Sequence, residues 1–144
     1  MSESEVDEAR DSSTDPARLA ELSASDDDAV RRWVARNRST PAEVLTQLAD
    51  DSESWVRKDV AGNPSTPVDL ITRMAGDPDS RWGVAQNPAA PMDLILLLAD
   101  DPDDSVRAGV AENPSTPAEV LTRLAGDSEA DVRRGVARNA AAPM

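Results

Sequence analysis

One hundred and forty-four residues with a net charge of −13 and neither cysteine nor histidine exclude disulfides, thiol nucleophiles and cysteine-ligated clusters, and lack the commonest general base and metal ligand. The acidic balance argues against nucleic acid or an anionic membrane as partner, since both need a basic footprint. Apolar content is mostly alanine, leucine and valine, with three tryptophans and no phenylalanine or tyrosine, which suits a thin core repeated along an axis better than one thick globule.

Residues 1–10, MSESEVDEAR, are polar, acidic and aperiodic, and a disordered tail is expected there. They hold no apolar stretch of signal-peptide length, and no run in the chain approaches a membrane span. The expected location is cytoplasmic. Fourteen arginines against one lysine point to a GC-rich, bacterial genome.

From residue 11 the chain repeats. NPSTPAEVLTRLAGD at 113–127 nearly restates NPSTPVDLITRMAGD at 63–77 and returns more loosely at 37–51 and 87–101. Asn37, Asn63, Asn87, Asn113 and Asn139 mark the register at spacings of 26, 24, 26 and 26. Such a period belongs to solenoids, whose units bury their apolar faces only against neighbours. The units are 11–36, 37–62, 63–86, 87–112 and 113–138, with a partial sixth at 139–144. The first is degenerate, with Asp15 where later units have proline, as expected of a terminal cap. The third has lost two residues between Ala75 and Val84, so Val56 has no counterpart there.

Within one unit, Ser39-Thr40-Pro41 and Glu43 have the pattern of a capping box with proline at the first helical position. Val44, Leu45 and Leu48 then form the apolar stripe of a short helix. Asp50-Asp51 ends it and offers acceptors to the amides of a second helix, whose core stripe is Val56 and Val60. Both helices are too short to persist alone, and either α or 3₁₀ geometry suits them. Each large core side chain contributes roughly 1.5–3 kcal/mol if fully buried, against about 1–2 kcal/mol per residue for ordering the backbone. A lone unit therefore unfolds, and stacking supplies the difference. Ten helices and no sheet are expected.

Two ladders recur. Arg31, Arg57, Arg81, Arg107 and Arg133 each follow the first valine position of the second helix and are placed to brace neighbouring repeats through aspartates, in preference to forming an anion-binding stripe. The five asparagines are placed to satisfy turn amides at repeat junctions. What varies between repeats is the better place to look for recognition. Trp55 is in its own register, Trp82 aligns with Lys58 and Trp33 with Asp59. In a common frame these positions are i, i+3 and i+4 of the second helix, one face in three consecutive repeats. Trp33, Trp55, Trp82 and Lys58 are the candidate partner-binding residues, since tryptophan dominates interface hot spots. The acidic loops lack the ligand spacing of an EF-hand, and no metal or cofactor is expected.

The units ANPSTP..VL..LA.D....VR..VA.N, as they stand around Asn63 and Asn113, resemble the leucine-rich repeat variant family over residues 11–139. The resemblance implies an all-α fold, a right-handed α-solenoid superhelix of about five repeats with alternating α and 3₁₀ helices. It also implies an interaction scaffold with a protein or peptide partner and no enzymatic activity. The iron–sulfur cluster of one member needs cysteines absent here. The alternatives are a carboxylate-based hydrolase, because carboxylates are plentiful, and a purely structural spacer or fusion module.

Overall fold

The computed structural model describes residues 2–139 and holds eleven helices, with no strand among them. They are α1 (Ser2–Arg10), α2 (Pro16–Leu22), α3 (Asp28–Arg36), α4 (Ala42–Leu48), α5 (Ser54–Ala61), α6 (Val68–Met74), α7 (Arg81–Gln86), α8 (Met92–Leu98), α9 (Asp104–Glu112), α10 (Ala118–Leu124) and α11 (Ala130–Arg138). Both helices of every described repeat are α, which resolves the choice between α and 3₁₀ that local sequence left open.

The helices form two layers. Second helices pack on one another in the order α1, α3, α5, α7, α9, α11, whereas the first helices α2, α4, α6, α8 and α10 hold mainly to neighbouring second helices. The core runs along the seam between layers. Leu19, Leu45, Ile71, Ile95 and Leu121 are fully buried in register, and Val34, Val60, Val84, Val110 and Val136 face them from the second layer. In the shortened third repeat Ser80 stands in the place of Val56. It is fully buried, and its hydroxyl donates to the Asp77 carboxylate at 2.9 Å.

Residues 2–10 depart from the expected tail. They form α1, whose Ala9 is fully buried and occupies the register of Ala35, Ala61, Ala85 and Ala111. α1 thus acts as the second helix of a half-repeat covering α3. The composition that suggested disorder is the composition of an outer face in water, with Glu3, Ser4 and Asp7 exposed. Of the partial sixth repeat, residues 140–144 lie outside the described residues.

The junctions account for the N-P-S-T-P string residue by residue. Each ladder asparagine donates its Nδ2 protons to two carbonyls of the preceding unit: Asn63 to Ala35 and Asn37, Asn87 to Ala61 and Asn63, Asn113 to Ala85 and Asn87, Asn139 to Ala111 and Asn113, all at 2.7–2.9 Å. Asn37 makes the same pair of bonds to Ala9 and Asp11, which ties α1 to the stack. The Oδ1 atoms of Asn37, Asn63, Asn87 and Asn113 accept the amides of Ser39, Ser65, Ala89 and Ser115. The threonines do not cap the first helices as the capping-box pattern suggested. Thr40, Thr66 and Thr116 turn back and donate to Val34, Val60 and Val110 carbonyls at 2.6–2.7 Å, and the N-cap residues Pro41, Pro67 and Pro117 make no side-chain cap. The threonine sites are buried and the helix starts are exposed, so the hydroxyl goes where water cannot serve.

The arginines brace. Arg31, Arg57 and Arg107 reach Asp51, Asp77 and Asp127 of the next unit at 2.8–3.0 Å, and each also donates to a carbonyl six residues back: Ser25, Asp51 and Asp101. Arg133 makes the backward bond to Asp127. The Arg107 hydrogen bond holds the Asp127 carboxyl below the usual carboxylate range. Burial pushes Asp77 up, but hydrogen bonds from Ser80, Arg57 and the Asp79 amide outweigh it, and the net shift is downward. Arg81 sits in the shortened repeat. It approaches Asp101 only to 3.5 Å, and its buried Nε has no hydrogen-bond partner.

No described residue has a left-handed φ, so the helical glycines answer to space. A Cβ on Gly83 would lie 2.5 Å from the Lys58 carbonyl and 2.9 Å from the Ala61 Cβ; on Gly135 it would lie 2.9 Å from the Ala111 Cβ. These positions face the preceding second helix at closest approach.

Candidate functional site: an aromatic groove over a shortened helix

The two-residue loss shapes the surface. α5 has 8 residues and α9 has 9, but α7 between them has 6. Where the first turn of α7 would stand there is a groove of about 470 Å³. Ser54, Trp55 and Lys58 line it from α5, Pro78 and Asp79 from the turn before α7, Trp82 from α7, and Ser105 and Val106 from α9. Lys58 and Trp82 also line a second groove of about 230 Å³ with Arg36, Asp59, Asn63 and Gln86, so these two side chains are the wall common to both.

Cations lie over the indoles. The Lys58 Nζ is 4.1 Å from the Trp55 ring centre and 5.3 Å from that of Trp82, and the Arg32 guanidinium lies 5.3 Å over Trp55 from the opposite helix. Each such contact is worth about 0.5–1 kcal/mol at an exposed site. They hold the rings in place while leaving Trp55 56% exposed. Arg32 also pairs with Asp59 at 2.9 Å. Burial pushes Asp59 above the ordinary range, against the pull of Arg32, Arg36 and Lys58.

Of the four candidate residues, the structure gathers Trp55, Lys58 and Trp82 at one groove and leaves Trp33 outside its lining. Trp33 is half-buried, packed on the core and held between Arg10 at 5.3 Å and Arg36 at 4.6 Å. The reason is direction. Trp33 and Asp59 share the register of Gly83, Gly109 and Gly135, the position that faces the preceding second helix, whereas Trp55, Lys58 and Trp82 line the groove. Arg10, Arg32 and Arg36 were missed as ring partners. Arg10 and Arg32 reach the rings from neighbouring helices and leave no periodic mark, whereas Arg36 sits three residues after Trp33 on α3 itself. The groove itself had a signal in the sequence, the spacing of 24 among spacings of 26.

The carboxylates singled out by repetition have structural partners. Asp51, Asp77, Asp101 and Asp127 each accept the amide two residues on, besides facing a ladder arginine. Among the described residues no group of three or more acids is arranged to hold a metal ion, and no helix is long and apolar enough to cross a membrane.

The sequence pattern of the family described as "Leucine rich repeat variant" matches residues 29–53, 55–79 and 105–129, just over half the chain. The stretch between the second and third matches holds α7 and α8. A solved structure described as "a leucine-rich repeat variant with a novel repetitive protein structural motif" is 25% identical, with a TM-score of 0.42, over 87% of this chain and 61% of that one. The chain thus spans less than two thirds of that protein. No curated protein sequence matches it.

Proposed function

The chain belongs to the leucine-rich repeat variant family, and from that premise we propose that it is a non-enzymatic scaffold that binds a protein or peptide segment across the second-helix face of its N-terminal half. The observation that carries this reading is Trp55: a large indole, more than half exposed, clamped by two cations at the lip of a groove. Tryptophan held rigid beside a cavity is the chemistry of an interface anchor. The pair of grooves sharing Lys58 and Trp82 offers a track for an extended segment longer than one repeat. The family's repeat fold is generally non-catalytic, and the loop aspartates Asp51, Asp77, Asp101 and Asp127 are engaged in holding repeats together, which supports a binding role over a hydrolase.

The test is substitution of Trp55 by alanine, with the partner captured from the native host by the wild-type chain. Loss of an anchor of this kind costs about 2 kcal/mol or more, roughly a thirtyfold weaker complex. Because the ring is largely exposed, the unfolding midpoint should fall by far less than the roughly 3–5 kcal/mol equivalent of a core tryptophan. Capture by Trp55→Ala and by Trp82→Ala as strong as by the wild-type chain would overturn the proposal.

A further inference from the structure

The first-helix layer carries a surface of its own, unrelated to the tryptophans. α8, MDLILLL, has one charged residue in seven, and only Ile95 and Leu98 are fully turned to the core. Met92, Leu96 and Leu97 are exposed, Leu97 by 67%, and Val68 on the neighbouring α6 is exposed as well. A helix apolar on all sides is ordinarily a covered one. Comparison among the repeats isolates the change. Leu96 and Leu97 replace Thr46-Gln47, Thr72-Arg73 and Thr122-Arg123. Arg73 and Arg123 reach back to Asp50 and Asp100 of the preceding unit at 3.4 and 3.1 Å. At the α8 junction both members are gone: Gly76 stands in the place of the aspartate and Leu97 in that of the arginine. An ion pair has been exchanged, as a pair, for an uncharged window with a leucine in it.

Charge says what covers it. On the helical wheel Asp93 lies between Met92 and Leu96 on one side and Leu97 on the other. Glu43, Asp69 and Glu119 hold the same register on α4, α6 and α10. All four acids are exposed, and among the described residues none is in an ion pair. The patch is therefore apolar with a row of uncompensated carboxylates running through it. A second copy of this chain would bring a further net charge of −13 against that row. We propose that the Val68, Met92, Leu96, Leu97 surface binds an amphipathic helix of a partner protein, apolar on one stripe and lysine- or arginine-rich along its edges, laid across the splayed first helices.

The experiment uses the full chain and three synthetic peptides: an 18-residue leucine–lysine amphipathic helix, its leucine–glutamate counterpart, and a scrambled leucine–lysine sequence without an apolar stripe. Binding is measured by calorimetry at physiological salt. The double substitution Leu96→Thr with Leu97→Gln installs the residues of α4 without changing charge. It should weaken the leucine–lysine helix at least tenfold while leaving the circular dichroism spectrum unchanged. Asp93→Asn, a second and independent probe, should weaken it several-fold. The glutamate and scrambled peptides should bind at least tenfold more weakly than the lysine helix. Equal affinity of wild type and double variant would mean that general acidity attracts the peptide, and would overturn the proposal. So would equal binding of the glutamate helix. Wild-type self-association in sedimentation that the double variant lacks would make a second copy the occupant, and Leu96- and Leu97-dependent binding to phosphatidylcholine vesicles would make it lipid. Either result also refutes a basic helix. Binding through Trp55 is untouched by these substitutions, so the two surfaces succeed or fail separately.

Discussion

Asn87→Ala removes a fully enclosed rung of the asparagine ladder. Asn87 is fully buried, and its side chain makes three hydrogen bonds: Nδ2 to the Ala61 carbonyl at 2.7 Å and the Asn63 carbonyl at 2.9 Å, and Oδ1 from the Ala89 amide at 2.8 Å. The Asn63 carbonyl keeps the Thr66 amide as a partner, so its loss is one net bond, about 1 kcal/mol. The Ala61 carbonyl lies on a fully buried residue and is left unsatisfied, at about 1–3 kcal/mol. The Ala89 amide is half-buried and recovers part of its bond from water. The expected loss is about 2–4 kcal/mol. For a chain of this size that is a fall of roughly 5–15 °C in the unfolding midpoint. Urea unfolding followed by circular dichroism measures it directly. Asn87→Asp sharpens the test, because it keeps the Oδ1 acceptor and turns the donor into a charge facing two carbonyls. It should be at least as damaging as alanine at neutral pH and should recover in part when acid restores a proton. A loss below about 0.5 kcal/mol for Asn87→Ala, or an aspartate variant as stable as wild type at neutral pH, would refute the view that the ladder joins the repeats.

Arg107→Ala removes the pairing with Asp127 and the bond to the Asp101 carbonyl and should cost about 1–2 kcal/mol by chemical denaturation, less than a fully desolvated pair because water reaches the site. Asp127 is depressed by that arginine, so the stability it contributes is present above the unfolded carboxylate value near 4 and is lost as pH falls through the lower folded value. The variant should show a flatter decline on acidification below pH 4. Gly83→Ala should destabilise by about 1–3 kcal/mol despite better helix propensity, because its Cβ meets a backbone carbonyl at 2.5 Å. Gly76→Ala, whose Cβ meets nothing closer than 3.4 Å, should be neutral or stabilising by up to about 1 kcal/mol, and the opposite signs in thermal melts are the check. Deleting residues 1–10 should lower the midpoint by several degrees, since it uncovers α3 and takes from Asn37 the Ala9 carbonyl, one of the two acceptors of its Nδ2. A disordered tail would leave the midpoint unchanged.

The repeat unit, its two short helices, its core stripe and the position of every ladder residue were set by the sequence alone. Each depends on spacing within one unit, or on identical residues recurring at one register, and a linear chain displays both. Leu45, Val56 and Val60 lie in the core because their periodicity leaves them nowhere else. The ladder asparagines and arginines find partners about 20–28 residues away because a stack puts equivalent positions side by side. What tertiary structure decided was direction and contact between units. Residues 2–10 looked like a solvated tail because a capping helix needs only a few apolar atoms on its inner face, here Ala9 and Val6, too few to make a period. The threonines carry the letters of a helix cap, but a buried carbonyl six residues back competes for the same proton and wins. Trp33 shares helical spacing with Trp55 and Trp82, yet its register meets the preceding helix while theirs meets the groove. Only the distance between stacked helices separates those cases, and no position in a single repeat encodes it.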